Sequence, residues 1–489
     1  MNLFFQLILF SFYIPLFLFQ AYGERKNFYL FLFVSGPAFL SYFYILTRTA
    51  SLFAENTFSR FPKLFFDRFT KTPPKFVSFG FSKSSFTQWI GLGFVLRILF
   101  YLTPPTLSED VYRFLWDGLL VSEGISPFSF LPGEFSIVTL PIEKSKLASE
   151  LLREMNSLRF YSVYPPVLQF LFYLSAQGMC FFNKIHAGIL IWKSFLFFSE
   201  IGILWFLLKM LKEAELSQWS VLIYWLNPLV LLEIGGNGHP ESILVFCLLV
   251  AVWYLWRWIQ TTRTKDVLIH FIFLIFGILT KITPLILVSL SGWILFRRKK
   301  IRLLILFYLL PLLGLFAGIV FFPEWAIKQK TSGIGVFFQL FEFNGSIYYI
   351  LREFLKVIGE DFYKSGRICG ITALVLILLY SFWKRKEESL QKIFKTVEGI
   401  YLLFLIFATT VHPWYILPLL ALSVFSQSIA PMVWSLVILV SYSTYTVSPY
   451  EDSFVWLGVE YGVLFLFLHI DYKLISSLKE SSQRIDSKT

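Results

Sequence analysis

Charged residues and cysteine are both scarce in this sequence of 489 residues. Charged side chains make up 15% of it, against ~25% in ordinary soluble domains, while hydrophobic residues reach 56%. The three cysteines, Cys180, Cys247 and Cys369, lie inside or beside apolar runs, which supports neither a disulfide framework nor a zinc site. Walker A, HExxH, CxxC and GxSxG patterns are lacking too, so nucleotide-driven transport, zinc hydrolysis and serine hydrolysis have no support.

The apolar residues are concentrated in long blocks. Several are long enough to cross a hydrocarbon core of ~30 Å as a helix, namely 3–22, 28–46, 243–259 and 303–322. We therefore expect an all-α polytopic membrane protein with about fourteen transmembrane helices. The aromatic content of 20% fits lipid-facing Phe and interfacial Trp and Tyr better than an aromatic-lined binding site.

The basic residues predict the topology. The net charge is +12, and the Lys and Arg residues cluster in short loops, such as residues 48–83, which the positive-inside rule assigns to the cytoplasm. The next loop, 104–164, is then external, and it carries eight acidic residues against five basic ones. We expect the chemistry in this loop, on the extracytoplasmic side.

Two interruptions are expected within the apolar segments. The alternation of inside and outside fails between residues 164 and 259 if each segment crosses once, and the run WLNP at 225–228 is the best place for a break. The run TKITP at 280–284 interrupts a second long segment. Irregular backbone at membrane depth is tolerated where it is buried in protein or lines a wet cavity.

The external loop opens with the ionisable run SEDVYRFLWDG at 108–118. Helical spacing places Glu109, Arg113 and Asp117 one turn apart, with Asp110 on a neighbouring face and Ser108 as a helix N-cap. One interpretation is a surface ladder of ion pairs. The other is a catalytic cluster, because a carboxylate close to the membrane can act as general base on a lipid-borne substrate.

A second polar cluster is GGNGHPE at 235–241. Its glycines allow a sharp turn and close approach to a ligand, and Asn237, His239 and Glu241 offer groups that suit sugar hydroxyls or phosphate. A plain turn between two helices is the alternative.

Further candidates come from the later apolar segments. Lys281 lies among apolar residues, where a cation is costly and is expected to pair with a phosphate or a carboxylate, unless it reaches the interface from a helix end. The run HPWY adds His412, Trp414 and Tyr415, of which an isolated histidine is more often structural.

Taken in order, these motifs resemble those of one family. They are the acidic pair with DVYRFLWDG, then GISPF at 124–128, YPP at 164–166, NP at 227–228, GNGH at 236–239, TKITP and HPWY. The set, from about residue 86 to about residue 420, resembles GT-C glycosyltransferases. The nearest branch is the bacterial mannosyltransferase-like group, akin to mycobacterial α-1,6-mannopyranosyltransferases and distantly to GPI mannosyltransferases.

This resemblance implies a GT-C fold and a donor sugar, mannose for preference, carried on a polyprenyl phosphate. It implies transfer with inversion at C1 to a lipid-linked or cell-envelope glycan or glycolipid, in contact with membrane lipids and without nucleic acid. Asp110 matches the catalytic position, with Glu109 as its partner. The implied substrate and phosphate contacts are Arg113, Asp117, Asn237, His239, Glu241, Lys281, His412, Trp414 and Tyr415. No cofactor is expected, and a divalent cation is left open.

The expected organisation is multi-pass in the inner membrane. Two extra helices and a basic loop occupy residues 1–85, and the catalytic core occupies residues 86–300. A C-terminal region with an external loop at 323–366 occupies residues 301–470, and a basic tail occupies residues 471–489. The main alternatives are a lipid-linked glycan flippase or exporter and an O-antigen polymerase or ligase. A carrier would place ionisable pairs in both halves, whereas here the carboxylates gather in one early loop.

Overall fold

The computed structural model describes residues 3–49, 83–321, 341–447 and 450–486. Within these ranges the chain is helical and carries one isolated β-bridge, between Phe343 and Thr410. The helical prediction is confirmed for this part of the chain.

Two compact units make up the chain. One comprises Met1–Thr106, Leu204–Gly236 and Leu419–Thr489, and the other Leu107–Ile203 and Asn237–Pro418. The predicted division into four sequence regions stays a prediction.

The first unit contains apolar helices from both ends of the chain. Some of their apolar side chains, such as Leu16 and Phe31, are buried between helices, and others, such as Phe4 and Phe33, are exposed on the surface, as in a membrane bundle. The helices are Leu3–Ser11, Ile14–Tyr22, Phe28–Thr49, Lys83–Tyr101, Leu222–Trp225, Pro228–Val230, the π-helix Leu231–Gly236, Ala430–Val437, the 3₁₀-helix Ile438–Thr446 and Phe454–Asp486.

The break predicted at 225–228 is present in this unit. The segments on either side of it are bent by 50°. Pro228 starts the second segment, and the Asn227 side chain caps it by accepting a hydrogen bond from Leu229 N at 2.9 Å.

Long-range donors satisfy the carbonyls that the break leaves without helical partners. Tyr13 Oη and Tyr42 Oη donate to the carbonyls of Leu226 and Ile223, each at 2.7 Å. Arg97 Nη1 donates to the Trp225 carbonyl at 2.7 Å, and its guanidinium lies 3.4 Å from that indole ring. An arginine within an apolar run is thus explained by the backbone it stabilises.

The second unit holds most of the loop at 104–164, which the sequence predicts to be external, and the central apolar segments. Most of its elements are longer helices joined by short 3₁₀ turns. They are Asp110–Ser122, Ile142–Glu154, Pro166–Phe182, Ile185–Glu213 (shared with the first unit), Glu241–Thr261, Thr264–Thr280, Val288–Arg297, Ile301–Phe321, Ile347–Val357, Lys364–Lys384, Leu390–Phe407 and the 3₁₀-helices Thr283–Leu287 and Pro413–Ile416.

Two of these helices form a hairpin that determines where the polar residues lie. Glu241–Thr261 ends at Thr262, which has φ +54°, and Thr264–Thr280 then packs along it. The second helix stops at Lys281, whose backbone is extended at φ −153° and ψ 140°. The break predicted at 280–284 is confirmed, and it brings Lys281 to the same end of the hairpin as Glu241.

Several helices in the described part of the chain are long and apolar enough to cross a membrane. Six helices of this part meet both criteria, or seven if the bent pair counts as one crossing. They are Leu3–Tyr22, Phe28–Thr49, Ile185–Glu213, Glu241–Thr261, Lys364–Lys384 and Phe454–Leu474. Shorter apolar helices accompany them, and the predicted total of about fourteen stays a prediction.

Some predicted features fall outside the described residues. They are most of the basic loop at 48–83, the first part of the external loop at 323–366, and the end of the basic tail.

The carbonyls at the first break allow a stability test. Tyr13→Phe and Tyr42→Phe each leave a buried carbonyl without its donor, so each should lower the free energy of unfolding by about 1–2 kcal/mol. Thermal unfolding in detergent measures the loss. The matched control is Tyr29→Phe, because that side chain is 74% exposed. Equal stabilities in all three variants would contradict this role of the two hydroxyls.

Candidate functional site

The loop at 104–164 presents its acidic pair at the start of a helix. The helix begins at Asp110, so Glu109 and not Ser108 is the N-cap residue. Ser108 Oγ still accepts a hydrogen bond from Asp110 N at 3.3 Å. Glu109 accepts one from Asn156 Nδ2 at 3.0 Å. The Asp110 side chain is 28% exposed, so a ligand can reach its carboxylate.

The turn at 237–240 brings its histidine to that acidic pair. Gly238 has φ +78°, a conformation that suits glycine, and its carbonyl accepts a hydrogen bond from Trp192 Nε1 at 2.7 Å. Asn237 Oδ1 accepts one from Leu107 N at 3.2 Å, which ties the turn to the external loop. As a result His239 Nε2 lies 3.1 Å from Ser108 Oγ and 3.9 Å from Asp110 Oδ2.

Lys281 and Glu241 form an ion pair at the end of the hairpin. Lys281 Nζ lies 2.5 Å from Glu241 Oε1 and 3.7 Å from the centre of the Tyr415 ring. The lysine side chain is 24% exposed and the glutamate 1%. The predicted carboxylate partner of Lys281 is therefore present, and the lysine side chain remains partly exposed.

The segment 412–415 adds a stack of rings. The His239 imidazole lies against the Trp414 indole with ring centres 3.5 Å apart, and the His412 ring is also stacked on that indole, with ring centres 4.4 Å apart. Phe343 continues the stack 4.4 Å from His412. Hydrogen bonds of the bridge, Phe343 N to Thr409 O and Val411 N to Phe343 O, fix the end of this stack.

Of the four cationic candidates, Lys281 is the accessible one. Arg113, His239 and His412 are at most 9% exposed, against 24% for Lys281. Burial holds the pKa of His412 well below its usual value, and the nearby His239 and Lys281 act in the same direction. A neutral, buried imidazole is poorly suited to a phosphate.

Arg113 and Asp117 bond to each other and to the rest of the external loop. Arg113 Nε lies 2.8 Å from Asp117 Oδ1, and Arg113 Nη1 donates to the carbonyls of Ser157 and Phe160. Asp117 Oδ2 accepts from Ser162 Oγ and Gln169 Nε2. These hydrogen bonds connect the helix to residues 157–169, and none of them involves Asp110. The geometry indicates a brace for the loop.

The surroundings of Asp110 favour a base. Burial raises the pKa of Asp110 above its ordinary range. His239 and Lys281 oppose that shift, while Glu109 and Glu241 reinforce it. Burial also holds the pKa of Tyr164 well above its usual value, so its hydroxyl stays protonated beside the acidic group. Tyr164 was recognised as part of a motif, but no spacing rule marked it as a neighbour of Asp110.

A cleft adjoins the Lys281–Glu241 pair. Its lining includes Thr283 and Tyr401, which sequence reasoning missed as site residues because hydroxyls in apolar helices carry no distinctive signal. Thr283 Oγ1 and Tyr401 Oη are buried and lie next to each other, and Glu241 Oε2 is buried without a hydrogen-bond partner among the described residues. Glu241 Oε2 is therefore available to a hydroxyl group of a ligand.

A metal site is not formed within the described residues. No group of three or more His, Cys, Asp or Glu side chains there is placed to hold an ion.

Residues 97–297 match the family model described as alpha-(1->6)-mannopyranosyltransferase, N-terminal domain. The match covers less than half of the chain and includes Asp110, His239, Glu241 and Lys281. It supports a glycosyltransferase enzyme of a mannosyltransferase-like GT-C branch, as the sequence predicted. No curated protein and no solved structure matches the chain.

The brace between Arg113 and Asp117 gives a second test. Asp117→Asn leaves a buried guanidinium without its counter-charge, so the variant should lose about 3–5 kcal/mol of stability. Thermal unfolding and the yield of folded protein check this. Glu143→Gln is the matched control, because Glu143 is an exposed residue of the same loop. A fully stable Asp117→Asn with weakened donor binding would instead favour a substrate contact.

Proposed function

We propose that the protein transfers mannose from a polyprenyl-phosphate donor to a lipid-linked or cell-envelope glycan, on the extracytoplasmic face of the inner membrane, with inversion at C1. The proposal rests on one observation above all. An accessible carboxylate, Asp110, and an accessible ammonium, Lys281, belong to one polar cluster within the matched segment. The description of the matched family favours an α-(1→6) linkage.

Asp110 serves as the general base. An acceptor hydroxyl has a pKa far above 7, so it must lose its proton to a carboxylate as it attacks C1. The raised pKa of Asp110 makes it a stronger base than an ordinary aspartate. The new bond joins the acceptor oxygen to C1, and the bond from C1 to the phosphate oxygen breaks. One displacement of this kind converts a β-linked donor mannose into an α-linked product.

Lys281 stabilises the leaving group. The phosphodiester of the donor becomes a monoester and gains one negative charge as the C1 bond breaks, so a preorganised cation lowers the barrier. Lys281 is suited to this, since Glu241 and the Tyr415 ring hold its ammonium while leaving it partly exposed.

The cleft beside this pair suits a hydroxyl group of the sugar. Tyr401 Oη and Thr283 Oγ1 can donate or accept hydrogen bonds, and Glu241 Oε2 can accept one. Apolar side chains such as Leu244 and Phe404 form the rest of the lining. The cleft is small, so we assign to it one hydroxyl group of the sugar and not the whole ring.

A membrane-borne donor agrees with the position of the acidic pair. Asp110 follows the apolar helix Lys83–Tyr101 after a short loop, where the headgroup of a lipid-linked sugar would lie. The acidic loop is on the outside by the charge rule, which supports the extracytoplasmic assignment.

Asp110→Asn should reduce sugar transfer by about 10²–10⁴-fold, because the amide cannot accept the proton. The assay is transfer of label from radiolabelled polyprenyl-phosphate mannose to endogenous acceptors, in membranes with matched protein levels. Glu109→Gln should retain most activity, since its carboxylate is bound to Asn156. Glu143→Gln serves as the exposed control. Full activity of Asp110→Asn would remove Asp110 as the base, and loss only in Glu109→Gln would move the role by one residue.

Lys281→Gln should lower kcat by about 10²–10³-fold, because the charge that develops on the phosphate loses its cation. Lys281→Arg should recover part of the rate. The same transfer assay, run over a range of donor concentrations, separates kcat from KM. Lys265→Gln, which changes an exposed lysine, should behave as wild type. A Lys281→Gln enzyme with unchanged kcat would show that another group stabilises the leaving phosphate.

A further inference from the structure

We propose that His239 is a positioning residue for Asp110, held in place by Ser108 and by the face of Trp414, and that it does not contact the donor phosphate. This inference rests on the proposed function, in which Asp110 is the base.

Accessibility separates His239 from the groups that meet substrate. Its side chain is 0% exposed, whereas that of Asp110 is 28% exposed. A ligand can therefore contact the Asp110 side chain, whereas the imidazole of His239 has no exposed surface to offer it.

The contacts of His239 fix its orientation. Its Nε2 edge faces both Ser108 Oγ at 3.1 Å and Asp110 Oδ2 at 3.9 Å. Ser108 Oγ in turn accepts from Asp110 N, so one hydroxyl links the imidazole to the backbone of the base. The Trp414 ring, inclined by only 19° to the imidazole, prevents it from turning away.

A similar arrangement of one buried and one partly exposed side chain is found at Lys281 and Glu241. Lys281 is partly exposed and its partner Glu241 is buried, just as Asp110 is partly exposed and His239 is buried. In each pair the buried member orients the exposed one and favours its charged form.

Charge around Asp110 makes the role of His239 measurable. His239 lowers the pKa of Asp110, so its removal should raise that pKa. The titratable groups that act with Asp110 are Glu109, Tyr164, His239, Glu241, Lys281 and Tyr415. Among them Glu241 has the opposite effect to His239, since it raises the pKa of Asp110.

The experiment is the pH dependence of kcat/KM for mannose transfer from polyprenyl-phosphate mannose by the full-length protein. An ionised base gives an acid limb, in which the rate falls as the pH drops through the pKa of Asp110. In His239→Gln this limb should move up by about one pH unit, with the donor KM unchanged. Glu241→Gln should move it down. His186→Gln, which changes an exposed imidazole, should leave the profile as in wild type.

Two results would overturn the inference. One is an acid limb in His239→Gln at the wild-type position, and the other is a donor KM raised at least tenfold, as expected for a lost phosphate contact. If His239→Gln does not fold, Trp414→Leu makes the same test, since the imidazole loses its support, while Trp414→Phe should preserve the profile. Activity in Asp110→Asn would instead refute the proposed function itself, so the two failures are distinguishable.

Discussion

The arrangement of the site depends on the ion pair between Lys281 and Glu241. Each charge lies at a helix end that favours it, the carboxylate at the N-terminus of Glu241–Thr261 and the ammonium just past the C-terminus of Thr264–Thr280. Because the two helices form a hairpin, these ends meet. The pair offsets the cost of keeping a cation among apolar helices, and it also holds an ammonium at a defined place without closing it off.

Breaks in apolar helices supply the backbone that such a site requires. The helix stops at Lys281 because Pro284 cannot continue it, and the helix after the bend at Pro228 runs through a π-helical turn at Leu231–Gly236. At the bend, side-chain donors bond to the buried carbonyls that have no helical partner, as Tyr13 and Arg97 show. The polar side chains of the second unit are thus positioned by irregular backbone on otherwise regular helices.

The sequence was sufficient to predict both breaks and most members of the cluster. Proline in an apolar run and a lone lysine at apparent membrane depth are local signals with a clear physical cause. The sequence could not show which polar residues of the cluster bond to each other and which remain exposed. Arg113 and Asp117 have the spacing of a surface ladder, yet both are buried, and the partners that decide this lie more than 40 residues away along the chain. The stack on Trp414 joins residues even farther apart, for which no spacing rule exists.

Two pairs, each of one buried and one partly exposed side chain, suit the charge movement of the proposed reaction. Proton transfer neutralises Asp110, while bond cleavage places an additional negative charge on the phosphate. Negative charge therefore shifts from the neighbourhood of His239 to that of Lys281, and the total charge of the site stays constant. The buried partners are already oriented toward these two positions, so they need little reorganisation as the charge moves. Water dipoles would have to reorient, which costs free energy, and a preorganised site lowers the barrier because it avoids that cost. The burial of His239 and Glu241 is in this respect as important as the exposure of Asp110 and Lys281.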